Sequence, residues 1–120
     1  MPNVEESLKE AMTITGAVGC ALVDFGSGMT LGTAGGESIN LDVAAAGNTE
    51  VIRAKLKTMQ SLGLQDEIED ILITLGNQIH LIRLLGKHKG LFMYLAVTRE
   101  GSNLAMARHK LATIEETLEI

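Results

Sequence analysis

Few side chains in this 120-residue chain stand where they could do chemistry. The three histidines, His80, His88 and His109, fall in what read as a strand, a loop and a helix. No Cys or His pair has the spacing of metal ligands. His80 alternates onto the same strand face as Ile82, so a partly covered structural histidine outweighs a ligand. Cys20 is the single cysteine; it has no intramolecular disulfide partner, lies in an apolar run and reads as an inert buried thiol. Gly26, Ser27 and Gly28, with Gly32, Gly35 and Gly36, look glycine-rich, but a dinucleotide fingerprint needs a strand before it and a helix directly after. Here a second strand follows, and no G-K-[ST] provides a P-loop, so these are hairpin glycines. No serine sits in a nucleophile elbow with a base. Glu67, Glu69 and Asp70 cluster as a solvated strand start rather than as acid–base machinery. No constellation makes the chain an enzyme on its own, and no cofactor or metal site is expected.

Bulk properties narrow the class further. A chain of this length is one domain, residues 1–120, able to bury a core without staples. It is 46% hydrophobic and 21% charged, hence globular. Only 2% is aromatic, which builds the core from Leu, Ile, Val, Ala and Met and removes base-stacking platforms. The formal net charge of −5 argues against nucleic acid and anionic membrane as partners. No apolar run is long enough to span a bilayer and the acidic start MPNVEESLKE has no secretory core, so a cytoplasmic location is expected.

Local patterns give the elements that must position any surface. Asn3 and Glu6 form a capping-box pattern at the head of a short helix faced by Val4, Leu8, Ala11 and Met12. Ala17–Asp24 and Leu91–Thr98 are apolar at nearly every position, as strands buried on both faces are. Met29–Ala34 is a weaker strand whose Gly32 suggests a bulge or a close backbone approach. Glu67–Leu75 and Gln78–Leu85 flank Gly76–Asn77 as a hairpin. Leu104, Ala107, Leu111, Ile114 and Leu118 recur at helical spacing, with Glu115 off that stripe.

Between the two halves runs Leu41–Leu62, free of Pro and rich in helix formers, with Asn40 as its cap and Gly63 as its stop. On a helical wheel the large residues Leu41, Val51, Ile52, Leu56, Met59 and Leu62 form one broad arc. A neighbouring arc holds the small or short Val43, Gly47, Ala54 and Thr58, and a polar arc holds Asp42, Thr49, Glu50, Arg53, Lys57 and Gln60. Two such arcs suit a helix that touches both its sheet and a second helix; the bland alternative is a generous core face. The third strand falls at a sheet edge, where antiparallel pairing with a second copy through Ile71–Leu75 would cover it. The acidic residues at its start weigh against that pairing. Of the four arginines, Arg53 and Arg108 belong to helices, Arg83 to a strand, and only Arg99 to a loop. An arginine that stabilises the transition state of GTP hydrolysis needs an exposed tip, and a plain surface arginine is the favoured reading of Arg99.

The order of elements, together with GAVGCALVDFGSGMTLGTAGG (residues 16–36), VAAAGN (43–48), EIEDILITLGNQIHLIRLL (67–85) and GLFMYLAVTREGSNLAMARHKL (90–111), resembles the roadblock family of dynein light-chain-like proteins, in particular its bacterial members. The resemblance covers nearly the whole chain and rests on no single residue. It implies an α+β, profilin-like α-β-β-α-β-β-β-α sandwich. A five-stranded antiparallel sheet would carry the long helix on one face and the terminal helices on the other. It also implies homodimers or heterodimers through the long helix and third strand; a homodimer is expected here, which places Val43, Gly47, Val51, Ala54, Ile71 and Ile73 at the interface. Its bacterial members are similar to regulators of Ras-like small GTPases, for which Asn48, Arg53, Lys55 and Lys57 would form a binding platform. The rival expectation is a small-molecule sensor or purely structural subunit on the same scaffold, which would need a cavity between sheet and helix.

Overall fold

The computed structural model describes residues 2–120. The elements are α1 (Val4–Ala11), β1 (Ala17–Asp24), β2 (Met29–Gly35), α2 (Leu41–Ser61), β3 (Asp70–Thr74), β4 (Gln78–Leu84), β5 (Leu91–Thr98) and α3 (Leu104–Thr117). The five strands form one antiparallel sheet in the order β2-β1-β5-β4-β3. This is the expected α+β sandwich.

Asparagines start all three helices. Asn3 Oδ1 accepts the Glu6 N–H at 2.9 Å while the Glu6 carboxylate accepts the Asn3 N–H at 3.4 Å, closing the capping box. Asn40 Oδ1 accepts from the N–H groups of Asp42 and Val43, both at 3.1 Å, and Asn103 Oδ1 from that of Met106 at 3.0 Å. Each cap contributes about 1 kcal/mol relative to alanine. At the other end of α2 the chain turns at Gly63, whose φ of 70° is left-handed and free of a Cβ penalty.

The central strands are apolar throughout because both their faces are covered. Cys20 and Leu22 of β1, with Met93 and Leu95 of β5, point into a layer closed by Leu8, Ala11, Ala107, Leu111 and Ile114 of α1 and α3. Ala21, Val23, Phe92 and Tyr94 point the opposite way, against Leu41, Ala45 and Ile52 of α2. Both outcomes foreseen for Gly32 occur. The β1–β2 register slips so that Leu22 faces Gly32 and Val23 faces Thr30, leaving Leu31 as a bulge. A Cβ on Gly32 would also stand only 2.9 Å from Val4 Cγ1 and 3.0 Å from Leu8 Cδ1, so α1 lies directly on β2.

Three local expectations need correction. The buried stripe of α2 is Leu41, Ala45, Thr49, Ile52 and Met59, whereas Val51, Leu56 and Leu62 are exposed. The sheet touches residues three and four apart, and Val51 and Leu62 lie roughly a quarter-turn from that line. Thr49 enters the stripe because its hydroxyl is satisfied within the helix, donating to Ala45 O at 2.7 Å. Next, β3 begins at Asp70 and not at Glu67, so Glu67 and Glu69 precede the strand. Finally, Glu115 is buried although it stands off the apolar stripe of α3, because Arg83 and a backbone N–H receive its carboxylate.

Candidate interaction surface

Helix α2 rests on the β1–β2 side of its sheet face, and hydrogen bonds fix its orientation. Arg53 Nη2 donates to Phe25 O at 3.0 Å and Gly26 O at 2.7 Å in the β1–β2 turn, and its Nη1 donates to Glu50 Oε1 at 2.9 Å. Nearer the start of the helix, Thr30 Oγ1 of β2 donates to Asp42 Oδ1 at 3.2 Å. The flank carrying Asp42 and Arg53 therefore leans toward β2. The opposite flank leans toward β4 and β3, where Ala44, Ile71 and Ile73 border the buried layer as half-covered residues.

The outward side of α2 carries Val43, Gly47, Val51 and Ala54, spaced by four, four and three, and all four are exposed, Val43 to 66%. This spacing keeps them on one strip, roughly opposite the buried stripe. Gly47 is the informative member. A helical glycine costs about 1 kcal/mol relative to alanine, yet a Cβ placed there would meet nothing within 4 Å. Nothing inside the protomer requires the glycine.

The four residues expected to form a platform do not make one patch. At about 100° per residue, Asn48 and Lys55 share the row facing β3, and Arg53 and Lys57 share the row on the other side of the strip. Asn48 is half-buried, with its Nδ2 donating to Ala44 O at 2.8 Å. Arg53 is held by the turn and by Glu50. Lys55 and Lys57 are exposed, and no ion pair to either is formed among the described residues. Sequence reading missed the Arg53 anchor, since nothing local signals a carbonyl 28 residues away in the chain.

Among the described residues strand β3 pairs only with β4, and its other edge is open. The Leu75 N–H donates to Gln78 O at 2.8 Å and the Leu84 N–H to Glu69 O at 3.1 Å. Antiparallel alternation from these bonds turns the backbone of Leu72 and Thr74 outward. Of the acidic residues expected to guard this edge, Glu67 and Glu69 stand just before the strand, Glu69 with its carbonyl bonded to β4. Asp70, the charged residue within the strand, is drawn onto α3 by Arg108, whose Nε and Nη2 donate to its two oxygens at 2.8 and 3.2 Å.

The remaining arginines are also engaged. Arg83 pairs with Glu115, and Arg99 Nη1 donates to Leu75 O at 3.3 Å. Each of the four guanidinium groups thus holds a carboxylate or carbonyl of its own chain. The histidines stay apart: His80 Nδ1 lies 3.2 Å from Tyr94 Oη and its Nε2 2.9 Å from Gln78 Oε1, while His88 Nε2 lies 3.2 Å from Leu118 O. Among the described residues no group of three or more His, Cys, Asp or Glu is placed to hold a metal, and no helix is long and apolar enough to cross a membrane. A groove of about 540 Å³ runs between α1 and α3, lined by Ser7, Glu10, Thr13, Lys110 and Thr113. It lies on the opposite face from α2, where Ile52, Phe92 and Tyr94 are fully buried.

No family model matches the sequence, and no curated protein does. Solved structures do match. Myxococcus xanthus MglB is similar with a TM-score of 0.82 at 13% identity, over 94% of this chain and 89% of that one. A Roadblock/LC7 domain from Streptomyces avermitilis gives a TM-score of 0.84 at 12% identity, over 97% and 94%. An MglB with tetrameric arrangement gives 0.70 at 19% identity, over 94% and 88%. The chain has the roadblock fold.

Proposed function

We propose that this chain acts in the cytoplasm as a homodimeric regulator or scaffold of a Ras-like small GTPase, with no active site of its own. The carrying observation is the exposed strip Val43, Gly47, Val51 and Ala54 on α2 beside an open β3 edge whose one charged strand residue, Asp70, is paired with Arg108. Antiparallel pairing of two β3 edges would lay two α2 helices side by side over a continuous sheet. Ile71 and Ile73 would lie beneath the seam, with Gly47 and Val51 at it and Asn48 and Lys55 along its rim. Val43 and Ala54 would stand at the crest, flanked by Arg53 and Lys57, as the surface offered to the GTPase. The roadblock fold supports this reading, and the sequence resemblance supplies the partner class.

With every arginine held inside its own protomer, regulation would work by holding the partner's switch loops in one conformation. The size of the shift equals the difference in affinity for the two conformations, tenfold for each 1.4 kcal/mol or so. The test is to mix the protein with a Ras-like GTPase loaded with GDP or GTP while following complex formation, phosphate release and nucleotide exchange. Nucleotide-dependent binding that is weakened by Lys57→Glu is expected. Absence of a complex with either nucleotide form of the GTPases from the same genome would remove the proposal.

A further inference from the structure

The second free edge of the sheet lies at its other end. Among the described residues strand β2 pairs only with β1, and MTLGTAG contains neither a charged residue nor a proline. Charge, proline and bulges are the usual guards of an exposed edge; the bulge here is at Leu31, and the ladder from Gly32 to Gly35 is regular. The Gly36 N–H donates to Val18 O at 3.0 Å, so alternation along the ladder turns the backbone of Thr33 and Gly35 away from β1. Beside this edge, under the head of α1, runs a groove of about 530 Å³ walled by Val4, Leu8, Leu31 and Ile120. Met29 and Leu31 are exposed to 69% and 49%.

The surroundings select the occupant. Glu5 and Glu119 line the groove. Asp24 stands opposite Met29, Asp42 receives the Thr30 hydroxyl, and Glu37 follows two residues after the strand. Lys9, 3.3 Å from Glu5, is a base beside this rim. Two copies meeting edge to edge would bring two such acidic rims together, which like-charge repulsion disfavours. An extended segment bearing cations beside apolar side chains meets the opposite sign.

We infer that the β2 edge is a strand-addition site for an extended peptide segment of a partner protein, with apolar side chains for the groove and lysines or arginines for its rim. The site is independent of the α2 and β3 surface. The backbone of Thr33 and Gly35 would provide the ladder bonds, Leu31 and Val4 the apolar floor, and Glu5 and Glu119 the charge selection.

The probe is a blocked synthetic peptide that alternates valine with arginine, compared with one alternating valine with glutamate. The expected result is that the arginine peptide moves the backbone amide resonances of residues 31–35 and slows hydrogen exchange at Thr33 and Gly35 by about tenfold. The glutamate peptide leaves them unchanged. Glu5→Lys, on an exposed helix position, weakens the arginine peptide by about fivefold. Thr33→Pro removes binding while the domain keeps its fold, because the lost N–H faces outward. Three outcomes would overturn the inference: equal binding of both peptides, resonance shifts confined to other surfaces, or protection of Thr33 that grows with protein concentration and needs no peptide.

Discussion

Arg83 Nε donates to Glu115 Oε1 at 2.7 Å and so ties β4 to the last turn of α3. The other oxygen of that carboxylate accepts the Gly86 N–H, also at 2.7 Å. The two side chains are 22% and 8% exposed, so the pair is mostly out of water. Removing one partner strands the other. Arg83→Met is expected to destabilise the fold by about 3 kcal/mol, lowering the melting temperature by roughly 10 °C in calorimetry. Glu115→Gln keeps one acceptor for the Gly86 N–H but turns an amide NH2 toward Arg83 Nε, so it loses both the charge and that acceptor and is expected to lower the melting temperature as well.

Gly47 allows the protomer and the proposed assembly to be tested separately. Alanine fits the empty space around it, so Gly47→Ala is expected to raise protomer stability by about 1 kcal/mol in a urea titration at high dilution. Gly47→Leu is expected to shift the dimer to monomer in light scattering while leaving the circular dichroism of the fold intact.

His80 makes stability depend on pH. Burial holds its pKa below the ordinary histidine value. The unfolded chain therefore binds the proton first as pH falls, and stability drops from about pH 6.5 downward until the folded form is protonated as well. Burial also holds the Tyr94 hydroxyl above its ordinary value, so a second loss of stability is expected above about pH 10, where the unfolded chain ionises first. Urea midpoints measured between pH 5 and 8 should fall toward the acid end in the wild type and be flatter in His80→Gln.

Much of the fold was legible because its signals are local. Asn3 and Asn40 each precede a helix and each caps one, and the two runs apolar on both faces pair at the centre of the sheet. What escaped depends on partners distant in sequence. A helical wheel cannot reveal which side of a broad apolar arc meets the sheet, so by pattern alone Val51 and Leu62 are indistinguishable from Ile52. The burial of Glu115 requires Arg83, 32 residues earlier. For the candidate surface, the alignment of Val43, Gly47 and Ala54 could be read from spacing, whereas the place of Val51 beside them and the pinning of Arg53 by two carbonyls of a turn could not.

Cys20 is shielded by geometry as well as by its surroundings. Its Sγ donates to Leu8 O at 3.4 Å, the residue has no exposed surface, and burial pushes its pKa up to about 12. Native protein at pH 8 is expected to leave a thiol reagent unconsumed over minutes, and urea-unfolded protein to react at once with one equivalent per chain.

The sheet has two bare margins at opposite ends, and a two-fold axis can consume only one kind. A dimer joined through β3 would leave a pair of β2 margins pointing away from each other. Any tether that reached both would be held by two weak grips acting together, its local concentration at the second set by the length of its own slack. Such an arrangement favours long, repetitive chains over short ones without a single added bond.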